Sequence, residues 1–325
     1  MTSAAQRLET TVIGSYPAWP DRKQLMRSYQ SFMGGGIERD TNSESSDVYA
    51  DTIDPYLKCL QEAVEAQVKA GIDTVSDGQT RDGMVELFVK NLGGTRLHGR
   101  AKILGDVEHI KPITLGDLEY ARGLLPPQRR LKGLITGPYT LACSCRDEHY
   151  NSTQDAVFDI AEALNKEARA IQDVVDVIHV DEPFFTDDYP EYGKSALDKV
   201  FEGVEVETFL HVCGDVSRIF TDLAEYKVDV LAHEFANNPL LLDTVKEYDF
   251  PQRLCYGSVR SDSEEVETVE SIISHVSRAL EFFSQEKLLL SPDCGLRHQT
   301  PATAYRKLHN LALARNAIIG REMEE

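Results

Sequence analysis

Eight short apolar runs punctuate the chain, near residues 9–15, 72–78, 131–137, 175–181, 206–213, 228–234, 253–258 and 287–293. Each has the length and residue types of a β-strand. Most are separated by stretches in which apolar residues recur at a period near 3.6. The clearest, 263–284, places Val266, Val269, Ile272, Ile273, Val276, Leu280 and Phe283 on one stripe. Similar stripes cover about 54–70, 154–173 and 301–320, and a helix is expected at 215–226. Strands alternating with helices predict a parallel sheet, and eight of each fit a (β/α)8 (TIM) barrel better than an open sheet. There is no internal repeat, low-complexity tract or convincing linker, so residues 1–325 read as one barrel domain. The interruption is 31–52, where Gly34 to Gly36 and the polar run Thr41 to Asp47 predict a long loop. It suits a mobile cover over a site or a plain surface insertion. No Lys-Ser/Thr follows the glycines, so a phosphate-binding loop is not expected.

With 325 residues, 42% of them hydrophobic, the chain can bury one substantial core. Its formal net charge of −20 disfavours nonspecific binding to nucleic acid or anionic membranes, which repel an acidic surface. No run approaches the roughly 18 apolar residues that span a bilayer. The six cysteines, at 59, 143, 145, 213, 255 and 294, form no regular disulfide framework, and the N-terminus lacks an apolar signal core. A cytoplasmic protein with reduced thiols is expected; Cys143 and Cys145 receive no role.

Candidate chemistry gathers at strand ends. Residues two apart in a strand share a face, so His211 and Cys213 project together while Leu210 and Val212 face the other way. Two further strand ends supply Glu234 and Cys294. One imidazole, two thiolates and a carboxylate suit zinc better than calcium or magnesium. His233 rivals Glu234, but adjacent strand residues face opposite sides, so only one of them faces the barrel mouth. Each of these residues, taken singly, also reads as an ordinary core group. So electron-rich a zinc site is a poor Lewis acid for a carbonyl. It is suited to capturing a thiol as a thiolate, which predicts alkyl transfer to sulfur.

An ordered set of motifs resembles a known family: Thr11 to Pro17, Ser76 to Glu86, Lys132 to Leu141, His179 to Pro183, His211 to Cys213, His233-Glu234 and Pro292 to Leu296. The set is similar to the catalytic barrel of cobalamin-independent methionine synthase in its short, single-barrel form, of the uroporphyrinogen decarboxylase/methionine synthase-like kind. The resemblance implies that His211, Cys213, Glu234 and Cys294 bind zinc and that a methyl group passes to the thiol of homocysteine. It implies substrate binding by Ile13 and Ser15 at the amino-acid carboxylate and by Asp181 at the ammonium, with Asp181 and Glu234 as the catalytic residues. The family's second ammonium-binding carboxylate falls at Gln79, an uncharged amide; Asp77 is a neighbouring acid able to compensate. The segment Tyr256 to Asp262 carries no histidine where the family protonates a pterin leaving group. A methylcobamide, or a corrinoid protein as partner, is therefore expected as methyl donor, with a methyl-tetrahydropterin as the alternative. Coenzyme M is the competing thiol, because of Gln79. A metal-free decarboxylase of the related barrel family and a non-enzymatic binding subunit are further alternatives.

Overall fold

A computed structural model of the chain describes residues 8–17 and 54–320. Among them, strands run over Glu9–Thr10 (β1), Thr74–Ser76 (β2), Leu92–His98 (β3), Arg100–His109 (β4), Arg130–Thr136 (β5), Arg146–Asp147 (β6), Val177–Asp181 (β7), Glu207–His211 (β8), Val230–His233 (β9), Arg253–Val259 (β10) and Leu288–Pro292 (β11). Eight form one sheet in the order β1-β11-β10-β9-β8-β7-β5-β2, with every pairing parallel. A parallel bridge from Thr11 to Thr74 joins its two ends, which makes the sheet a nearly closed barrel. All eight expected runs are strands of it. The loop expected at about 31–52 lies outside the described residues.

Strand alternation divides the core in two. Ile13, Val177, Phe209, Val230, Ala232, Cys255 and Leu289 form a cluster of their own on the inner face of the barrel. Leu210, Val212, Leu231 and Leu254 belong instead to the larger cluster that includes the surrounding helices. One ammonium enters the inner layer: Lys132 Nζ donates to the Val12 carbonyl at 2.6 Å and lies 4.3 Å from the centre of the Phe209 ring. Burial pulls its pKa down to about 8.

The described helices cover Pro55–Ala70 (α1), Met84–Val89 (α2), Leu115–Leu124 (α3), Pro138–Ser144 (α4), Thr153–Ile171 (α5), Gly193–Val200 (α6), Phe220–Leu223 (α7), Leu241–Val245 (α8), Val269–Leu280 (α9) and Pro301–Ile319 (α10). Their limits follow from capping. Asp54 accepts from the Tyr56 amide and Pro55 opens α1, while Gly71, in the left-handed region at φ 93°, closes it. Thr268 accepts from the Ser271 amide at 3.2 Å, so α9 begins there and not at 263. The helix expected over 215–226 shortens to a single turn.

One element was not expected. β3 and β4 form an antiparallel hairpin turning at Gly99, and β6 adds to β4. The buried Glu167 of α5 anchors the exit of this hairpin: its carboxylate accepts from the Ile113 and Thr114 amides and the Thr114 hydroxyl, and meets His109 Nε2 at 2.8 Å. No helix of the described residues is long and apolar enough to cross a membrane.

Candidate active site

Parallel strands deliver their carboxyl ends to one rim, where backbone pairing stops and side chains are free to converge. There β8 and the residues after it supply His211 and Cys213, and the residue after Asp293 supplies Cys294. His211 Nε2 lies 3.0 Å from Cys213 Sγ, and Cys213 Sγ lies 3.3 Å from Cys294 Sγ. One ligand atom from each of the three falls within 4.8 Å of the others. His211 Nδ1 stands 3.0 Å from the Ala232 carbonyl. Donation to that carbonyl puts the ring proton on Nδ1 and turns the Nε2 lone pair to the sulfurs, the tautomer a metal-binding imidazole needs. The donor set therefore fits a bound metal ion.

The same three groups divide charge unequally. Hydrogen bonding from Cys213, with further help from His211, holds the Cys294 thiol well below its ordinary pKa, against the effect of burial. The bond to Cys294, with burial, pushes Cys213 well up. Burial disfavours an imidazolium at His211, yet the hydrogen bond and charge of Cys294 raise it to about 9. A thiolate is thus stabilised at the rim, and a metal must displace the protons on Cys213 and His211 to bind.

Glu234 stands just past β9 and outside this group of three. Its charge still reaches His211 and Cys213, raising both. His233 turns elsewhere: its Nδ1 lies 3.2 Å from the Val212 carbonyl and its ring meets Phe220 edge-on at 6.0 Å. Alternation thus separates the two candidates, with Glu234 on the same face as Val230 and Ala232.

Asp181 ends β7 opposite His211 of β8. Although burial opposes its ionisation, His179, which is hydrogen-bonded to it, then His211 and Lys132, hold its pKa below the usual carboxylate range. Ser15 and Gln79 are knitted to the Cys294 loop. Ser76 Oγ donates to the Gly14 carbonyl at 2.7 Å, the Tyr16 amide to the Gly78 carbonyl at 2.8 Å, and the Leu296 amide to the Ser15 carbonyl at 2.7 Å. A Cβ on Gly295 would lie 2.1 Å from Ser15 Oγ, so only glycine lets the Cys294 loop approach this closely. Gln79 has φ 49°, the one described non-glycine residue with positive φ, and its Nε2 is buried without a partner. Asp77 accepts from the Gln79 amide at 3.0 Å, and burial pushes its carboxyl up to about 6. Asp77 therefore braces the turn that carries Gln79.

The family described as "Cobalamin-independent synthase, Catalytic domain" matches residues 8–316. The chain belongs to that family. It is 34% identical over 326 aligned positions to a methionine synthase of Methanocaldococcus jannaschii, covering 95% of this chain and 99% of that protein. It is 31% identical to a methionine synthase of Saccharolobus solfataricus, covering 93% and 92% of the two chains. In structure it is similar to a B12-independent methionine synthase from Shewanella sp. W3-18-1 in complex with selenomethionine, with TM-score 0.79, 22% identity and coverage of 97% and 98%. Family membership makes the protein a methyltransferase, and its fold is the barrel of those synthases.

Other residues at the rim carry no motif by themselves. Asp293, beside Cys294, accepts from the Ala236 amide at 3.0 Å and the Asn237 amide at 2.7 Å, pinning the loop after Glu234 to the β11 end. Burial pushes its carboxyl up to about 7. Gly257 makes room for it: a Cβ there would lie 2.1 Å from Asp293 Oδ1. The adjacency of Asp293 to Cys294 was the available signal.

Proposed function

We propose that the protein transfers a methyl group to the thiol of L-homocysteine, forming L-methionine, in a single barrel with a zinc ion held by His211, Cys213, Glu234 and Cys294. The observation that carries this reading is the convergence of one imidazole and two thiols at the barrel rim beside the buried carboxylate of Asp181. Bound zinc would lower the pKa of the incoming thiol and keep it nucleophilic at neutral pH. Asp181, held ionised, anchors the substrate ammonium. Ser15 Oγ and the backbone around Ile13 serve the carboxylate, and Gln79 lines the same rim. Glu234 supplies the oxygen ligand and adds negative charge around the metal. With Asp181 it makes up the proposed catalytic pair.

For the donor, the matching family is described as cobalamin-independent. A methylcobamide or corrinoid-protein donor draws no support from that match. It rests on the sequence of Tyr256 to Asp262 alone, where no imidazole stands ready to protonate a pterin leaving group. Coenzyme M is a second reading of the acceptor, favoured by the partnerless Gln79 Nε2, a donor that a sulfonate oxygen would satisfy.

The test is an anaerobic assay of zinc-loaded protein with each thiol, given methylcobalamin in one arm and a methyl-tetrahydropterin in the other, products identified by mass. Methionine is the expected product. Methylated coenzyme M alone would overturn the choice of thiol. Turnover with the pterin and none with methylcobalamin would remove the corrinoid.

A further inference from the structure

Beneath the rim, His179 lies two residues before Asp181 on β7, on the same inner face and wholly buried. Its Nε2 is 3.1 Å from Asp181 Oδ1, and its Nδ1 is buried with no partner at all. Since the carboxylate can only accept, the ring proton resides on Nε2 and is donated upward, while Nδ1 carries a bare lone pair. The ring is fixed in that pose by packing. It stacks on Phe209 at 5.8 Å and 29°, and meets His211 at 5.9 Å. Phe209 in turn lies under the Lys132 ammonium. An imidazole that leaves one nitrogen unsatisfied in a barrel core is a poor choice for packing alone, since an apolar side chain would fill the space without an orphan acceptor. The contact it does make is with the one carboxylate that the homocysteine reading assigns to the substrate ammonium.

We infer that His179 is a positioning residue for substrate recognition: its Nε2–H orients the Asp181 carboxylate, leaving the other oxygen lone pairs for the ammonium of an amino-acid thiol. The inference rests on the homocysteine reading and deepens it. His179 touches no substrate; it acts through Asp181, by fixing the rotamer of a carboxylate at the end of a strand. Lys132 lies in the same inner layer and contributes positive charge without a hydrogen bond to Asp181.

The test uses the full-length, zinc-loaded protein and calorimetric binding of two thiols: L-homocysteine and 4-mercaptobutyrate, which is homocysteine without its amine. Wild type is expected to prefer homocysteine. His179→Leu is expected to weaken homocysteine binding by about tenfold, as for loss of a charge-assisted hydrogen bond, while 4-mercaptobutyrate changes by less than about twofold. His179→Gln, which restores an N–H donor to Asp181, is expected to recover most of the preference. An unchanged ratio of the two affinities in His179→Leu would overturn the inference, whether both affinities fall together, as from a damaged barrel, or neither does. Failure of the underlying reading looks different: wild type would bind the two thiols alike and Asp181→Asn would change neither, and the inference would fall with it.

Discussion

Gln79 places an uncharged amide where the resemblance implies a second ammonium-binding carboxylate. Its left-handed backbone costs roughly 1 kcal/mol for a side chain with a Cβ. It is held there by the Asp77 carboxylate on its amide and by Arg297, whose Nη2 donates to its carbonyl at 2.7 Å. The Gln79 Nε2 is buried without a partner. If the amide oxygen faces the ammonium of homocysteine, Gln79→Glu replaces an uncharged acceptor with a carboxylate and makes the contact an ion pair. Affinity for homocysteine is then expected to rise about fivefold, equivalent to ~1 kcal/mol, and affinity for an amine-free thiol to fall; competitive binding of the two thiols measures both. At the proposed metal site, Cys294→Ser exchanges the thiolate that its neighbours stabilise for an alcohol that stays protonated. Zinc affinity is expected to drop by about a hundredfold or more, read by competition with a chromogenic chelator, with the circular dichroism of the barrel unchanged.

Among the elements, the strands were the most legible because a parallel barrel buries both faces of each one. That produces continuous apolar runs, and the same alternation placed Glu234 and His233 on opposite sides. The β3–β4 hairpin was not legible: His98, Arg100 and Lys102 interrupt its apolar positions, and Glu167, which anchors it, lies far along the chain. The helix over 215–226 failed for a different reason, since Asp215 turns back to accept from the Ser217 amide at 3.0 Å and delays the helix. His179 and Asp293 were not legible as residues of the rim because each is placed there by its contacts, His179 to Asp181 and Asp293 to the Ala236 and Asn237 amides. Glu182, after β7, caps α4: it accepts from the Tyr139 amide, the Thr140 amide and the Thr140 hydroxyl. Burial outweighs these bonds and lifts its pKa from 4.5 to about 7. Between those values the folded protein keeps a proton that the unfolded chain has released, so its contribution to stability is present below pH 4.5 and is lost as pH rises through 7. Glu182→Gln removes that titration. The stability of wild type relative to this variant, from urea unfolding, is expected to decline with rising pH across this window by up to ~1.4 kcal/mol per unit. A pH-independent difference would mean that Glu182 is ionised in the fold.

Over the whole molecule, the barrel gathers groups that are far apart in sequence. Ser15, Gln79, Asp181, Cys213 and Cys294 sit on or just past different strands and meet only because parallel strands end at one rim. An acidic chain, at −20, places the buried cation Lys132 beneath this rim, where its charge favours the carboxylate form of Asp181. The central claim is that the rim metal is zinc and takes the substrate thiol directly. X-ray absorption at the zinc edge, on protein with and without L-homocysteine, tests it. The account predicts a shell of two sulfurs at about 2.3 Å with lighter oxygen and nitrogen ligands in the protein alone, becoming three sulfurs when homocysteine is added. An unchanged two-sulfur shell in the presence of saturating homocysteine would contradict it.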